Sequence, residues 1–157
     1  FQNDFPSWLY EVDMGATTIW ERWNSYTVKD GFGNVNMNSF NHYSYGAVAE
    51  WMTSCAGGIR FDEDTPGGRV LCFAAEPDRR LKYIKCSLET PYGKASSEWK
   101  FTLRSWTWKI SAPCNTGVKV KLPDLNAEKI TMNGKVIDSK ELDLENGSYE
   151  IKMIFAR

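Results

Sequence analysis

Trp99-Lys100-Phe101-Thr102-Leu103-Arg104-Ser105-Trp106-Thr107-Trp108-Lys109-Ile110 is the stretch that decides the fold. Large apolar side chains alternate with polar ones at Trp99, Phe101 and Leu103, and the phase then slips to Trp106, Trp108 and Ile110. A period of two marks a strand with one face in a core. One extra residue exchanges the two faces, so the slip predicts a bulge or a corner near Arg104-Ser105. Outward from this run, β-type segments recur at Arg69–Ala74, Leu81–Leu88, Val118–Leu122, Lys129–Met132, Lys135–Ile137, Glu141–Leu144 and Tyr149–Phe155, separated by Pro, Gly, Asn and Asp. Short strands in this number predict an antiparallel β-sandwich. Asn133-Gly134 between Ile130/Met132 and Val136 signals a type I′ hairpin, and Asn146-Gly147 ahead of Tyr149, Ile151, Met153 and Phe155 signals a second.

Upstream of about residue 60 the pattern is helical. Pro6 suits a first turn, and Trp8, Leu9, Val12 and Met14 follow at near-helical spacing as far as Gly15, a C-terminal stop. Thr17-Thr18-Ile19-Trp20-Glu21-Arg22-Trp23 is β-branched and aromatic, and predicts an extended strand with Ile19, Glu21 and Trp23 on one side. A Gly/Asn-rich loop from Lys29 to Met37 leads to Asn38, a good N-cap. Phe40, Tyr43, Ala47, Val48, Trp51, Met52 and Cys55 then recur every three or four residues until Gly57-Gly58, which predicts a second helix with His42 in its first turn. Two helices with a wide aromatic stripe do not close a core alone. These residues therefore look like the end of a larger helical domain, preceding a β domain able to fold independently.

The composition narrows the function. Seven Trp, seven Tyr and eight Phe in 157 residues exclude disorder. Nineteen basic against twenty acidic residues leave a net charge of -1, without the surplus that coats nucleic acid or an anionic membrane face. No apolar run approaches the roughly 20 residues that cross a bilayer. The start, Phe1-Gln2-Asn3-Asp4, has neither the basic nor the apolar region of a signal peptide, and its lack of Met suggests a piece of something longer; localisation stays open. Cys55, Cys72, Cys86 and Cys114 include no C-x-x-C pair and have only His42 beside them, which argues against zinc. They fit free thiols, or two bridges in any of three connectivities. No cofactor is implied.

Glu21 is the carboxylate to single out, flanked by Trp20 and Trp23 and adjacent to Arg22 in a segment with few acids. Aromatic surroundings disfavour a charged carboxylate and a guanidinium favours it, and such opposed influences poise a general base. An ion pair with Arg22 or Lys29 is the structural alternative. Trp20 and Trp23 could stack against a pyranose, with core packing as the alternative. His42 could exchange a hydrogen bond with a ligand or with a structural partner at a helix end. Glu11 and Asp13 on the first helix and Asp30 in the loop are expected to face solvent. Asp62-Glu63-Asp64 lacks the rest of an oxygen cage, Gly31-Phe32-Gly33 lacks the context of a phosphate loop, and Asn146-Gly147-Ser148 fits a glycosylation acceptor but also a turn.

Gly15-Ala16-Thr17-Thr18-Ile19-Trp20-Glu21-Arg22-Trp23-Asn24-Ser25, followed by Met37-Asn38-Ser39-Phe40-Asn41-His42-Tyr43-Ser44-Tyr45-Gly46-Ala47-Val48, resembles the bacterial α-L-rhamnosidases of glycoside hydrolase family 78. The likeness continues through Pro66-Gly67, Arg69–Ala74, Glu76-Pro77, Thr90-Pro91-Tyr92-Gly93 and Ser97-Glu98-Trp99, covering about residues 5 to 110. Beyond that it is one of strand pattern.

The resemblance implies a mainly β chain with an α-helical N-terminal part, in which the last helices of an incomplete (α/α)6 barrel (1–60) precede a C-terminal antiparallel β-sandwich (61–157). It implies hydrolysis of terminal α-L-rhamnosyl residues from glycosides or polysaccharides with inversion. The partners are then a rhamnose-containing glycan and the missing upstream barrel of the same protein. Glu21 falls where the family places the carboxylate that activates water, His42 where substrate hydroxyls are contacted, and Trp20 and Trp23 on the apolar side of the pocket. The acid that protonates the leaving oxygen belongs upstream, so this segment alone is expected to be inactive. The rival expectation is a non-catalytic carbohydrate-binding or structural β module, with Trp99, Trp106 and Trp108 forming a flat exposed face.

Overall fold

The computed structural model describes residues 5–156. They form two compact units, one ending at Ala49 and the other beginning at Glu50.

In the first unit, helix α1 spans Trp8–Asp13. The Ser7 side chain caps it by accepting the Tyr10 N–H at 3.1 Å, so Pro6 precedes the cap instead of entering the first turn. Gly15, at φ +81°, ends the helix in the left-handed region that glycine favours, as the sequence predicts. A small hairpin follows, β1 (Tyr26–Thr27) with β2 (Gly31–Phe32). The Thr27 hydroxyl accepts the Asp30 N–H at 2.9 Å and tightens its turn.

Expectations for two longer segments of this unit also fail. Residues 17–23 form no strand, because the chain turns immediately after Glu21: Ser25 N–H donates to Arg22 C=O at 3.0 Å, and Arg22 N–H donates to the Ser25 hydroxyl at 3.2 Å. The second helix does not start at Asn38. A 3-10 turn at Ser44–Ala47 begins the helical run, which continues as α2 (Val48–Trp51) and a π turn at Met52–Ala56. Residues 38–42 have their polar groups committed elsewhere. Asn38 Nδ2 donates to Ser25 C=O at 2.9 Å, Ser39 pairs with Glu21, and His42 N–H donates to Ile19 C=O at 2.8 Å.

The second unit is the sandwich. Its strands are β3 (Ile59–Phe61), β4 (Val70–Phe73), β5 (Tyr83–Thr90), β6 (Gly93–Phe101), β7 (Ser105–Ala112), β8 (Gly117–Lys121), β9 (Lys129–Met132), β10 (Lys135–Val136), β11 (Glu141–Leu144) and β12 (Gly147–Ile154). One sheet has the order β10-β9-β12-β7-β6-β5 and the other β11-β8-β4-β3. The chain is thus mainly β with a small helical N-terminal part. One pair departs from the antiparallel expectation, since β4 and β8 run parallel. The boundary expected between residues 60 and 61 falls inside β3, a strand the sequence reading missed.

The deciding stretch 99–110 is a hairpin and not a bulged strand. Residues 102–104 reverse the chain, Thr102 N–H donates to Ser105 C=O at 2.8 Å, and Leu103 at the tip is 97% exposed. The reversal sets Trp99 opposite Trp108 and Phe101 opposite Trp106, so both phases of the alternation face one core. Trp99, Trp106 and Trp108 are fully buried with Leu71, Phe73, Val118, Val120, Ile151 and Met153. Each indole removes about 150–250 Å² from water, roughly 4–6 kcal/mol at about 25 cal/mol per Å² before entropy is counted. Trp108 Nε1 donates to the Ser97 hydroxyl at 2.8 Å, which donates to Gly57 C=O at 2.6 Å, and Trp99 Nε1 donates to Ala56 C=O at 2.7 Å. These bonds tie the end of the π turn to the sheet.

Asn133 (φ +49°) and Gly134 (φ +79°) form the predicted type I′ turn between β9 and β10. Asn146-Gly147 is no hairpin: β11 pairs with β8, whereas β12 pairs with β7 and β9, so this link crosses from one sheet to the other. All four cysteines are free thiols; Cys114 is exposed, and burial raises the pKa of Cys72 and Cys86. Among the described residues no helix is long and apolar enough to cross a membrane.

Candidate active site

Residues 19–21 have no regular secondary structure, yet each is pinned. Ile19 C=O accepts the His42 N–H, Glu21 N–H donates to Ser39 C=O at 2.9 Å, and Ser39 N–H donates back to Glu21 Oε2 at 2.7 Å. The two bonds between Glu21 and Ser39 fix both the backbone and the side chain of the acid. Glu21 is half-buried, and its Oε1 has no hydrogen-bond partner among the described residues. The alternative of an ion pair with Arg22 or Lys29 is not what forms: both cations are exposed, and neither is within 4.0 Å of the carboxylate. A carboxylate held by one backbone N–H with its other oxygen open is equipped to accept a proton from water.

Aromatic rings surround this segment. Trp23 stacks on Tyr45 with centroids 4.9 Å apart and an 18° interplanar angle, and Trp8 meets Trp23 edge-on at 5.5 Å. Trp20 is only 5% exposed and packs edge-on against Phe40 at 5.2 Å. Trp23 is half-buried, and its buried Nε1 has no partner among the described residues. The two indoles therefore differ, one seated in the interior and the other at its margin.

His42 lies just ahead of the helical run instead of in its first turn, because its N–H is already bonded to Ile19. Its Nε2 is 3.0 Å from the hydroxyl of Ser44, the first residue of that run. The backbone thus brings the segment carrying Glu21 alongside the one carrying Ser39 and His42.

The sequence reading gave no weight to three residues of this unit. Ser39 and Tyr45 lie in the quoted motif without a chemical signature of their own. Glu11, expected in solvent, is 3% exposed; burial raises its pKa, and the Trp20 backbone N–H opposes the rise. Asp13 and Asp30 are exposed, as expected. In the second unit, Asp62 is held below the ordinary carboxylate range by the Thr65 hydroxyl first and Lys119 next. A groove of about 890 Å³ there is lined by Ser87, Ser96, Ser111 and Ser148 and contains none of the predicted site residues. The three sandwich indoles are buried, so they present no flat face to a sugar.

Residues 1–56 match the bacterial α-L-rhamnosidase six-hairpin glycosidase domain, and residues 58–136 match the bacterial α-L-rhamnosidase C-terminal domain. An α-L-rhamnosidase of Formosa agariphila is 36% identical over 156 residues, 98% of this chain and 17% of that protein. One of Alteromonas sp. is 30% identical over 155 residues, again 98% of this chain and 17% of the relative. Among solved structures, the Streptomyces avermitilis α-L-rhamnosidase complexed with L-rhamnose superposes with a TM-score of 0.83 at 30% identity, covering 97% of this chain and 15% of that one. The α-L-rhamnosidase of Dictyoglumus thermophilum gives 0.82 at 30% identity, covering 98% and 18%. This chain therefore spans about a sixth of the length of the relatives it matches, and over that span it belongs to the bacterial α-L-rhamnosidase family.

Proposed function

We propose that this chain is the C-terminal segment of an inverting α-L-rhamnosidase that cleaves terminal α-L-rhamnosyl residues from glycosides or polysaccharides. In this reading the barrel's last helices lie within residues 1–60, and residues 61–157 are its scaffold sandwich. Glu21 is the general base: it takes a proton from water while that oxygen attacks the anomeric carbon. The glycosidic C–O bond breaks, and its oxygen takes a proton from a carboxylic acid upstream of this segment. Inverting enzymes separate the two carboxyl groups by roughly 6.5–9.5 Å so that water fits beside the sugar. His42 binds sugar hydroxyls, and Trp23, stacked on Tyr45, forms the apolar wall, while Trp20 packs on Phe40 in the interior.

The observation that carries the reading is the Glu21–Ser39 pairing, which fixes the acid through its backbone and Oε2 and leaves Oε1 for water. The test is hydrolysis of an aryl α-L-rhamnoside by the full-length protein, with the anomer of newly released rhamnose followed by NMR. β-L-Rhamnose appearing first is expected, and no turnover by the 157-residue chain alone. First release of the α-anomer refutes inversion, and turnover by the isolated chain refutes the need for an upstream acid.

A further inference from the structure

Ser25, at 1% exposure, is one of the few described side chains that the first unit buries. A polar residue withdrawn so completely from water must find its partners inside the protein. Its partners lie in the segment that carries Glu21 and in the two segments beside it. The Arg22 N–H donates to Ser25 Oγ at 3.2 Å, and the Ser25 N–H donates to Arg22 C=O at 3.0 Å, so residues 22–25 close on themselves directly after the acid. Ser25 C=O accepts two further bonds, from the Gly33 N–H at 2.8 Å and from Asn38 Nδ2 at 2.9 Å. The turn is thereby held between the residue that follows the β1–β2 hairpin and the residue that precedes Ser39.

Glu21 is held from both sides. A residue's φ and ψ relate the two peptide planes that flank it, so fixing both planes fixes the direction in which its side chain leaves the backbone. The preceding plane contains the Glu21 N–H, which donates to Ser39 C=O at 2.9 Å, and the following plane contains the Arg22 N–H, which donates to Ser25 Oγ. A third bond, from the Ser39 N–H to Glu21 Oε2 at 2.7 Å, fixes the far end of the acid. Ser39 makes its two bonds through the backbone, which almost any residue would supply. Ser25 contributes through its hydroxyl, and an alanine in its place would leave the Arg22 N–H without that acceptor.

We infer that Ser25 is a positioning residue for hydrolysis: its buried hydroxyl holds the peptide plane that follows Glu21 and so, together with Ser39, sets where the carboxylate meets the attacking water. The inference rests on Glu21 being the base. Ser25 acts through the backbone alone, and its role is geometric.

The test uses the full-length enzyme with an aryl α-L-rhamnoside, as wild type, Ser25→Ala and Ser25→Thr, with Glu21→Gln as a reference. Ala removes the acceptor with little change in volume, and Thr restores a hydroxyl. A misplacement of about 1 Å can cost on the order of 10²-fold in rate. A kcat loss of about that size is expected for Ala with KM little changed, because proton transfer to the base belongs to the transition state and not to substrate binding. Thr should recover most of the loss. A serine that only stabilised the fold would lower the melting temperature without separating kcat from KM. Hydrogen exchange at the Arg22 amide reports the bond itself and should be slow in wild type and Thr and faster in Ala; rapid exchange in the wild type overturns the proposal without any variant. An Arg22 amide still protected in Ser25→Ala overturns it, as does a protected Thr enzyme with kcat as low as that of Ala. A folded Ser25→Ala enzyme with kcat within a few-fold of wild type, where Glu21→Gln is inactive, overturns it too. An active Glu21→Gln enzyme removes the base assignment, and the inference with it.

Discussion

The two units are held together by different means. From Glu50 onward, apolar alternation decides the structure: Leu71, Phe73, Trp99, Trp106, Trp108 and Ile151 are completely buried, and their neighbours two residues away share the same face. Up to Ala49 the described residues bury one apolar side chain, Trp20, together with the polar Ser7, Glu11 and Ser25. Val28, Phe32, Val35, Met37 and Tyr43 meanwhile stand largely exposed. A region that hides polar groups and shows apolar ones is specified by directed hydrogen bonds. Such bonds hold irregular backbone in one geometry, which suits a segment that must present a side chain at a fixed point.

The contrast can be broken by substitution. Trp108→Ala removes an indole at zero exposure with a bonded Nε1, and should lower the sandwich's stability by about 3–5 kcal/mol in denaturant unfolding. A loss under about 1 kcal/mol would mean that apolar packing does not dominate there. At the other extreme, Val35 is 90% exposed in the first unit, and Val35→Ser should change the unfolding free energy by no more than about 0.5 kcal/mol. A cost comparable to a core valine would show that apolar contacts matter in that unit after all.

How far the sequence could be read follows the same division. Period-two alternation made the sandwich legible, and Asn133-Gly134 marked its turn because both positions need positive φ. The slip at 104–105 was seen but misjudged: a bulge and a tight reversal both exchange faces, and only the pairing of Trp99 with Trp108 tells them apart. β3 was missed because three residues are too few to establish a period. In the first unit, propensity was overridden by tertiary bonds. Asn38 is a sound N-cap by local rules, but its amide bonds Ser25 instead, and the helical run waits until Ser44. Glu21, His42 and the two tryptophans stood out by residue type and motif. Glu11 did not, because nothing local distinguishes a buried acid from a solvated one on a six-residue helix.

Glu21 is proposed to withdraw the proton from the attacking water, and kcat of Glu21→Gln in the full-length enzyme decides whether it does. Gln keeps the shape and can still accept the Ser39 N–H, but it cannot take up a proton. A fall of about 10²–10⁴-fold in kcat is expected, with the melting temperature preserved. A variant that folds normally and turns over within a few-fold of wild type would contradict it.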